Sequence, residues 1–163
     1  MTRVLVIKSV RKIIQNKNEL EKKLNIKISL KNQELSIFGS ESDEFFAERV
    51  IQALDFPFTI DDALLLKDEN YMFEIINIKD YTHRKDMTTI KARIIGTKGK
   101  TVDLLEELSN SIITIKDNNV AVIAEADDIK AAVQSIISLI RGSKQGNVYQ
   151  YLEKARARHK RDF

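Results

Sequence analysis

The sequence contains no cysteine and no tryptophan, and only one proline and five glycines in 163 residues. Without cysteine there is no disulfide framework, no thiol nucleophile and no zinc-thiolate site, a composition that fits a reducing cytosol. With Pro57 alone and so few glycines, low-complexity linkers and most loop-rich folds are excluded, so the regular elements are long relative to the turns. No apolar run approaches the roughly 20 residues needed to cross a bilayer. The opening stretch MTRVLVIKSVRKII has about four consecutive apolar residues and no small-residue cleavage site, so it does not read as a signal peptide. The expectation is a soluble, cytoplasmic chain.

What is present is enough for a core, since 43% of the residues are apolar. The length suits one ordinary domain or two small ones. A net charge of +3 is mild, but its distribution is not. Residues 1–31 carry +7, 32–83 carry −9, 84–100 carry +5, 101–140 carry −5 and 141–161 carry +6. Segregation of this kind points to directed binding rather than to a uniformly solvated surface.

The chain repeats itself. Residues 26–54 align with 112–140 at an offset of 86, and both read as strand, polar turn, strand, acidic helix start and amphipathic helix. In the second copy Val120, Val122 and Ala124 alternate as in a strand. Ile129, Ala132, Val133, Ile136, Ile137 and Ile140 then share one helical face, with Asp127 or Asp128 as cap and Gly142 as terminator. The first copy has Ser40 or Ser42 as cap and Phe46, Val50, Ala53 and Leu54 as its stripe. Upstream, residues 13–24 pair with 94–105 at an offset of 81. Each half therefore reads strand, helix, turn, helix, strand, strand, helix, the first being shorter. The segment FTIDDALLLKDEN lacks Gly and Ser and reads as a short helix between the halves, not as a flexible tether. GNVYQYLEKARARHKRD starts helical and ends in a basic cluster.

The most informative stretch is Ile94, Ile95, Gly96, Thr97, Lys98, Gly99, Lys100. Two glycines three apart at a helix-turn-helix junction leave a turn without Cβ atoms at two positions, which can lie against a phosphodiester backbone while amides and the next helix N-terminus face phosphate. Lys98 and Lys100 add charge there. At the first copy's junction stand Gln15, Asn16, Lys17 and Asn18, with no glycine. The two histidines, His83 and His159, have no nucleophile arrangement beside them, and no P-loop, HExxH or EF-hand pattern is present, so no enzyme, cofactor or metal site is expected.

This order of elements around GTKG resembles a type I KH domain, in which a GxxG loop clamps about four nucleotides of single-stranded nucleic acid. Two such units, the linker FTIDDALLLKDENYMFEI and the stretch RGSKQGNVY before the tail are similar to the archaeal relatives of the eukaryotic partner-of-Nob ribosome assembly factors. The resemblance implies an α+β fold of two tandem KH-like domains (βααββα), the first shortened, without GxxG and packed on the second, plus a C-terminal helix with a basic tail. The implied bounds are residues 1–58, a linker helix at 59–70, a KH domain at 71–142 and the tail at 143–163. It places the RNA-gripping loop on Gly96, Thr97, Lys98 and Gly99, and the apolar floor for bases on Ile94 and Ile95 opposite Ile113 to Ile115. Lys91, Arg93 and Lys100 become flanking phosphate contacts. Independently of the resemblance, the charge of the basic tail, Lys154, Arg156, Arg158, Lys160 and Arg161, reads as either a solvated end or a direct rRNA contact, the second being the expectation for Arg156 and Arg158. The resemblance implies binding to the single-stranded 3′ region of small-subunit rRNA during maturation. The implied partners are a PIN-domain endonuclease that cuts there and the alpha subunit of translation initiation factor 2. The first unit either docks protein or supports the second. The alternative class is a KH-fold adaptor that docks protein without binding RNA.

Overall fold

The computed structural model describes residues 2–161; Met1 and the last two residues of the basic tail, Asp162 and Phe163, lie outside them. The chain divides into two compact units with the boundary between Tyr71 and Met72. Among the described residues no helix is long and apolar enough to cross a membrane.

The first unit runs β1 (Thr2–Val6), α1 (Val10–Gln15), α2 (Lys17–Leu24), β2 (Lys27–Lys31), β3 (Glu34–Phe38), α3 (Glu41–Leu54) and a short α4 (Ile60–Leu64). Its sheet has the order β1-β3-β2, with β3 antiparallel to both neighbours. Alternation sets the faces: Ile28, Leu35 and Ile37 are buried, while Lys27, Glu34 and Phe38 are exposed. Ser40 starts α3 because its hydroxyl accepts the Asp43 amide at 3.1 Å. The segment after α3 is held down rather than loose. Arg49 donates to the Leu66 carbonyl at 3.1 Å and to the Tyr71 carbonyl, and its guanidinium lies 5.8 Å from the Phe46 ring.

The second unit repeats the plan: β4 (Tyr71–Asn77), α5 (Met87–Ile95), α6 (Lys100–Ser109), β5 (Ser111–Lys116), β6 (Asn119–Glu125) and α7 (Ile129–Ile140), followed by α8 (Gln145–Arg161). Its sheet order is β4-β6-β5. The core gathers Ile90 and Ile94 of α5, Leu105 of α6, Val120 and Val122 of β6, Ala132, Ile136 and Ile140 of α7, and Val148 and Leu152 of α8. Asp86 caps α5, and α7 ends in a Schellman turn. There Gly142 takes φ +103°, its amide reaches the Leu139 carbonyl at 3.1 Å and the Ser143 amide reaches the Ser138 carbonyl at 2.9 Å.

The structure corrects the repeat in two places. The strand pairs coincide at an offset of 85, not 86. Asn25 and Asn110 are the matching left-handed helix ends, and Asn32 and Asp117 the matching left-handed turn residues. The difference matters because a slip of one residue exchanges the two faces of a strand. The second correction concerns the junction of the two helices. Ile13 and Ile94 are the buried equivalents in α1 and α5, 81 apart, whereas Leu20 and Leu105 in α2 and α6 are 85 apart. Four residues are therefore missing from the first unit. Its helices meet at Asn16 alone, and Lys17 and Asn18 already belong to α2. The glycine loop of the first unit is deleted, not replaced by other residues.

Candidate nucleic-acid interface

The loop of the second unit spans residues 96–99 between α5 and α6. Gly96 has φ +76° and ψ 174°, a region open only to glycine, and Gly99 has φ +74° and ψ 12°. Their surroundings differ. A Cβ on Gly96 would lie 2.1 Å from Thr101 Oγ1 and 2.7 Å from the Thr101 amide nitrogen, so the loop closes on the first turn of α6 only because that atom is missing. A Cβ on Gly99 would meet nothing nearer than Val102 Cγ1 at 4.0 Å, so this glycine borders open space. Lys98 between them is left-handed too, with φ 55° and ψ 28°, a conformation that costs a lysine about 1 kcal/mol or more.

The loop's own hydrogen bonds are few and tight. The Gly96 amide donates to the Ala92 carbonyl at 2.8 Å and the Gly99 amide to the Gly96 carbonyl at 3.2 Å, while the Lys100 amide donates to the Thr97 carbonyl. Thr97, Lys98 and Lys100 are exposed, and α6 directs its N-terminus toward the same place. A turn of this kind, with cations outward and helix amides behind, suits an anion that approaches the main chain closely.

The other residues singled out from the sequence are not all placed at the loop. Ile95 is 39% exposed and Ile115 half-buried, so both offer apolar surface. Ile94 and Ile113 do not: they are 0% and 6% exposed and belong to the core, Ile94 because it continues the buried i, i+4 phase of Ile90. Arg93 is also corrected. Its guanidinium donates to the Leu139 carbonyl at 3.0 Å and to the Ser143 carbonyl at 2.6 Å, so it ties α5 to the end of α7 instead of reaching outward. Lys91 is half-buried and donates to the Asp117 carbonyl at 2.9 Å in the β5–β6 turn. Arg156 lines a cleft of about 320 Å³ together with Glu107, Glu125, Asp127 and Asp128. It stands eleven residues along α8 from Gln145, about 16 Å at 1.5 Å per residue, and shares that cleft with Lys160 as well as the four carboxylates. Arg158 is exposed on the same helix.

The strand edge next to the loop helix is also engaged. Glu106 accepts the Ile113 amide at 3.0 Å, and in the first unit Glu21 accepts the Ile28 amide at 2.8 Å. Among the described residues no group of His, Asp and Glu is placed to hold a metal ion.

Residues 72–157 match the family profile of the eukaryotic type KH-domain (KH-domain type I), in its version for the second KH domain of PNO1. That span begins where the second unit begins and carries the loop and most of α8. The chain belongs to the PNO1 family of KH-domain proteins. It is 27% identical over 152 residues to the KH domain-containing protein MJ0443 of Methanocaldococcus jannaschii, covering 89% of this chain and 67% of that one. It is 31% identical over 150 residues to the pre-rRNA-processing protein pno1 of Emericella nidulans, covering 86% of this chain and 58% of that one. Its backbone matches a chain in the crystal structure of an a/eIF2alpha-aDim2p-rRNA complex from Pyrococcus horikoshii, with a TM-score of 0.86 at 30% identity, over 100% of this chain and 96% of that one. The tandem KH architecture of this PNO1-type protein is thus shared along its length, although the chain spans under two thirds of its fungal relative.

Three polar residues around the PNO1-type loop carry roles that the sequence does not show: Thr101, Gln145, and Glu106, whose spacing reads as a solvated helix face but which caps the strand edge. Gln145 Nε2 lies 3.1 Å from the Arg93 carbonyl oxygen and 3.1 Å from Thr101 Oγ1. Partners 44 and 52 positions apart leave no periodic trace in a sequence.

Proposed function

We propose that this chain is an RNA-binding ribosome biogenesis factor whose second unit grips single-stranded small-subunit rRNA in the 3′ region during maturation, and that it catalyses no step itself. The observation that carries the reading is the 96–99 loop: two positive-φ glycines, one bordering open space, exposed Lys98 and Lys100 beside them, and a helix N-terminus behind. Phosphates sit on this loop, with the amides of Thr97 and Lys98 as donors, since those of Gly96, Gly99 and Lys100 already have acceptors. Bases lie against Ile95 and Ile115, and the outer edge of β5 around Ile115 reads them. Single strands are favoured because only an unpaired base can reach such a floor.

The relatives support this assignment by what their names say: the fungal protein is a pre-rRNA-processing protein, and the Pyrococcus chain was crystallised with rRNA and a/eIF2alpha. By the same reasoning the partners are small-subunit rRNA, an initiation factor 2 alpha subunit and a PIN-domain endonuclease that cuts the 3′ region. The first unit, with its loop deleted, takes no strand in the KH manner and serves for docking protein or as a support.

The test is titration of the full chain with a short single strand copied from the small-subunit rRNA 3′ region, and with the same sequence as a duplex. Binding to the strand at least tenfold tighter than to the duplex is the expected result. Equal affinity for both, or none for either, would overturn the reading and favour an adaptor that docks protein alone.

A further inference from the structure

The segment that joins α7 to α8 is bonded to both ends of the RNA-gripping loop. From the α5 side, Arg93 places its guanidinium on the Leu139 and Ser143 carbonyls at the Schellman turn around Gly142. From the α8 side, Gln145 returns the contact. One nitrogen, Nε2, donates to the Arg93 carbonyl, which lies in the last turn of α5 where no helical amide follows to bond it, and to Thr101 Oγ1 in the first turn of α6. The two acceptors bracket the loop, one three residues before Gly96 and the other two residues after Gly99. Thr101 is 6% exposed, and its Oγ1 is the atom that a Cβ on Gly96 would meet first, at 2.1 Å. A single amide group thus sets the distance between the entry and the exit of the loop and holds the hydroxyl against which Gly96 is seated.

We infer that Gln145 is the positioning residue for the GTKG loop: it holds residues 96–100 in the shape that receives phosphate, without touching the RNA. The inference rests on the RNA-gripping reading of that loop and adds the element that controls it. Preorganisation is the physical reason. A four-residue turn with three left-handed or glycine-only conformations has many relaxed alternatives, and ordering it on each encounter would cost affinity. Chemistry selects glutamine here. Both acceptors require a donor, so a carboxylate of the same length would face the Arg93 carbonyl with no hydrogen to give. Asparagine is one methylene too short to span both. The start of α8 is thereby coupled to the grip, because any displacement of Gln145 releases the loop.

The experiment uses the full chain with Gln145→Ala, with Thr101→Val, which removes the acceptor at near-constant volume, and with the two combined. Hydrogen exchange at the bonded amides of Gly96, Gly99 and Lys100 is followed without RNA, beside titration with a single-stranded oligonucleotide and a thermal melt. Gln145→Ala should speed exchange at these amides about tenfold and weaken RNA binding about tenfold, while the melting temperature moves by a few degrees at most. The double variant should bind no more weakly than Gln145→Ala, since both changes break one contact. Unchanged exchange in Gln145→Ala would overturn the inference even if affinity fell, because the amide would then be acting on RNA directly. A double variant whose loss equals the product of the two single losses would overturn it as well. Failure of the wild type to bind any strand would overturn the RNA reading and with it the role in binding, and is distinguished from failure of the clamp by the exchange rates alone.

Discussion

Gly96 and Thr101 are in such close contact that a single added carbon would place Cβ 2.1 Å from Oγ1. The two glycines of the loop therefore do different work. Gly96 is needed by the fold, so Gly96→Ala combines a forbidden φ with a clash against backbone and should cost about 3 kcal/mol of stability. Gly99 is needed mainly for φ, in a region that asparagine and aspartate tolerate, so Gly99→Asn should cost under about 1 kcal/mol. Chemical denaturation of the two variants checks the contrast; equal losses would contradict it.

Lys98 sits in the left-handed region between them, and strain held by a charged side chain at an exposed turn is a sign of function. Lys98→Gly should raise stability by up to about 1 kcal/mol and at the same time weaken RNA binding. The opposite signs are the content of the prediction. Denaturation midpoints and titrations on the same preparation read both.

The basic side chains are predicted to contribute unequally. Lys98→Ala and Lys100→Ala should each flatten the slope of log affinity against log salt by about 0.7, the single-strand value per phosphate contact. Arg156→Ala should leave the slope unchanged, because Arg156 lines a cleft with Glu107, Glu125, Asp127 and Asp128. A flatter slope in Arg156→Ala would return that residue to the RNA interface.

Asp86 supplies a pH test. Its carboxylate accepts the Thr89 hydroxyl and, at 3.2 Å, the Thr89 amide, and these bonds hold its pKa below the ordinary carboxylate value. A carboxylate depressed in the folded state stabilises it above the unfolded pKa, and that stabilisation is lost as pH falls through the folded value. Asp86→Ala should therefore melt below wild type at pH 7, and the gap should close as pH drops below about 4. Melting curves across that range decide it.

Arg49 ties the segment after α3 to the first unit through the Leu66 and Tyr71 carbonyls, and burial lowers its pKa without removing its charge. Arg49→Met keeps much of the packing on Phe46 and removes both bonds. It should cost about 2 kcal/mol, as hydrogen bonds to a charged group do. Faster exchange at residues 66–71 in this variant is the accompanying sign.

Much of this was legible in the sequence, and the reason is local. The α7 face from Ile129 to Ile140, the Ser40 cap, the Gly142 stop and the left-handed glycines are fixed by spacing and residue type over a few positions. Ile90 and Ile94 sit four apart, which could have marked Ile94 as core and Ile95 as the exposed member of the pair. What escaped depended on register and on long-range polar contacts. Gln15, Asn16, Lys17 and Asn18 have the composition of a turn, so a four-residue deletion looked like a substituted loop. The second hairpin is apolar at Val120, Ala121, Val122, Ile123 and Ala124 in succession, so its pattern accepts an offset of 85 or 86 until Asn25 and Asn110 are seen in the same conformation. Arg93 carries the charge of a phosphate ligand, and only the fold shows that the Leu139 and Ser143 carbonyls take it.

The central claim is that the 96–99 loop is the place where RNA is held, and one measurement bears on it most directly. Gly99→Asp puts a carboxylate into the open space beside Gly99, in a conformation aspartate tolerates, so the fold persists while phosphate is repelled. Titration of wild type and Gly99→Asp with one single-stranded rRNA oligonucleotide should show binding by the first and a loss of at least tenfold in the second, at matched melting temperatures. Equal binding by the two proteins would contradict the claim.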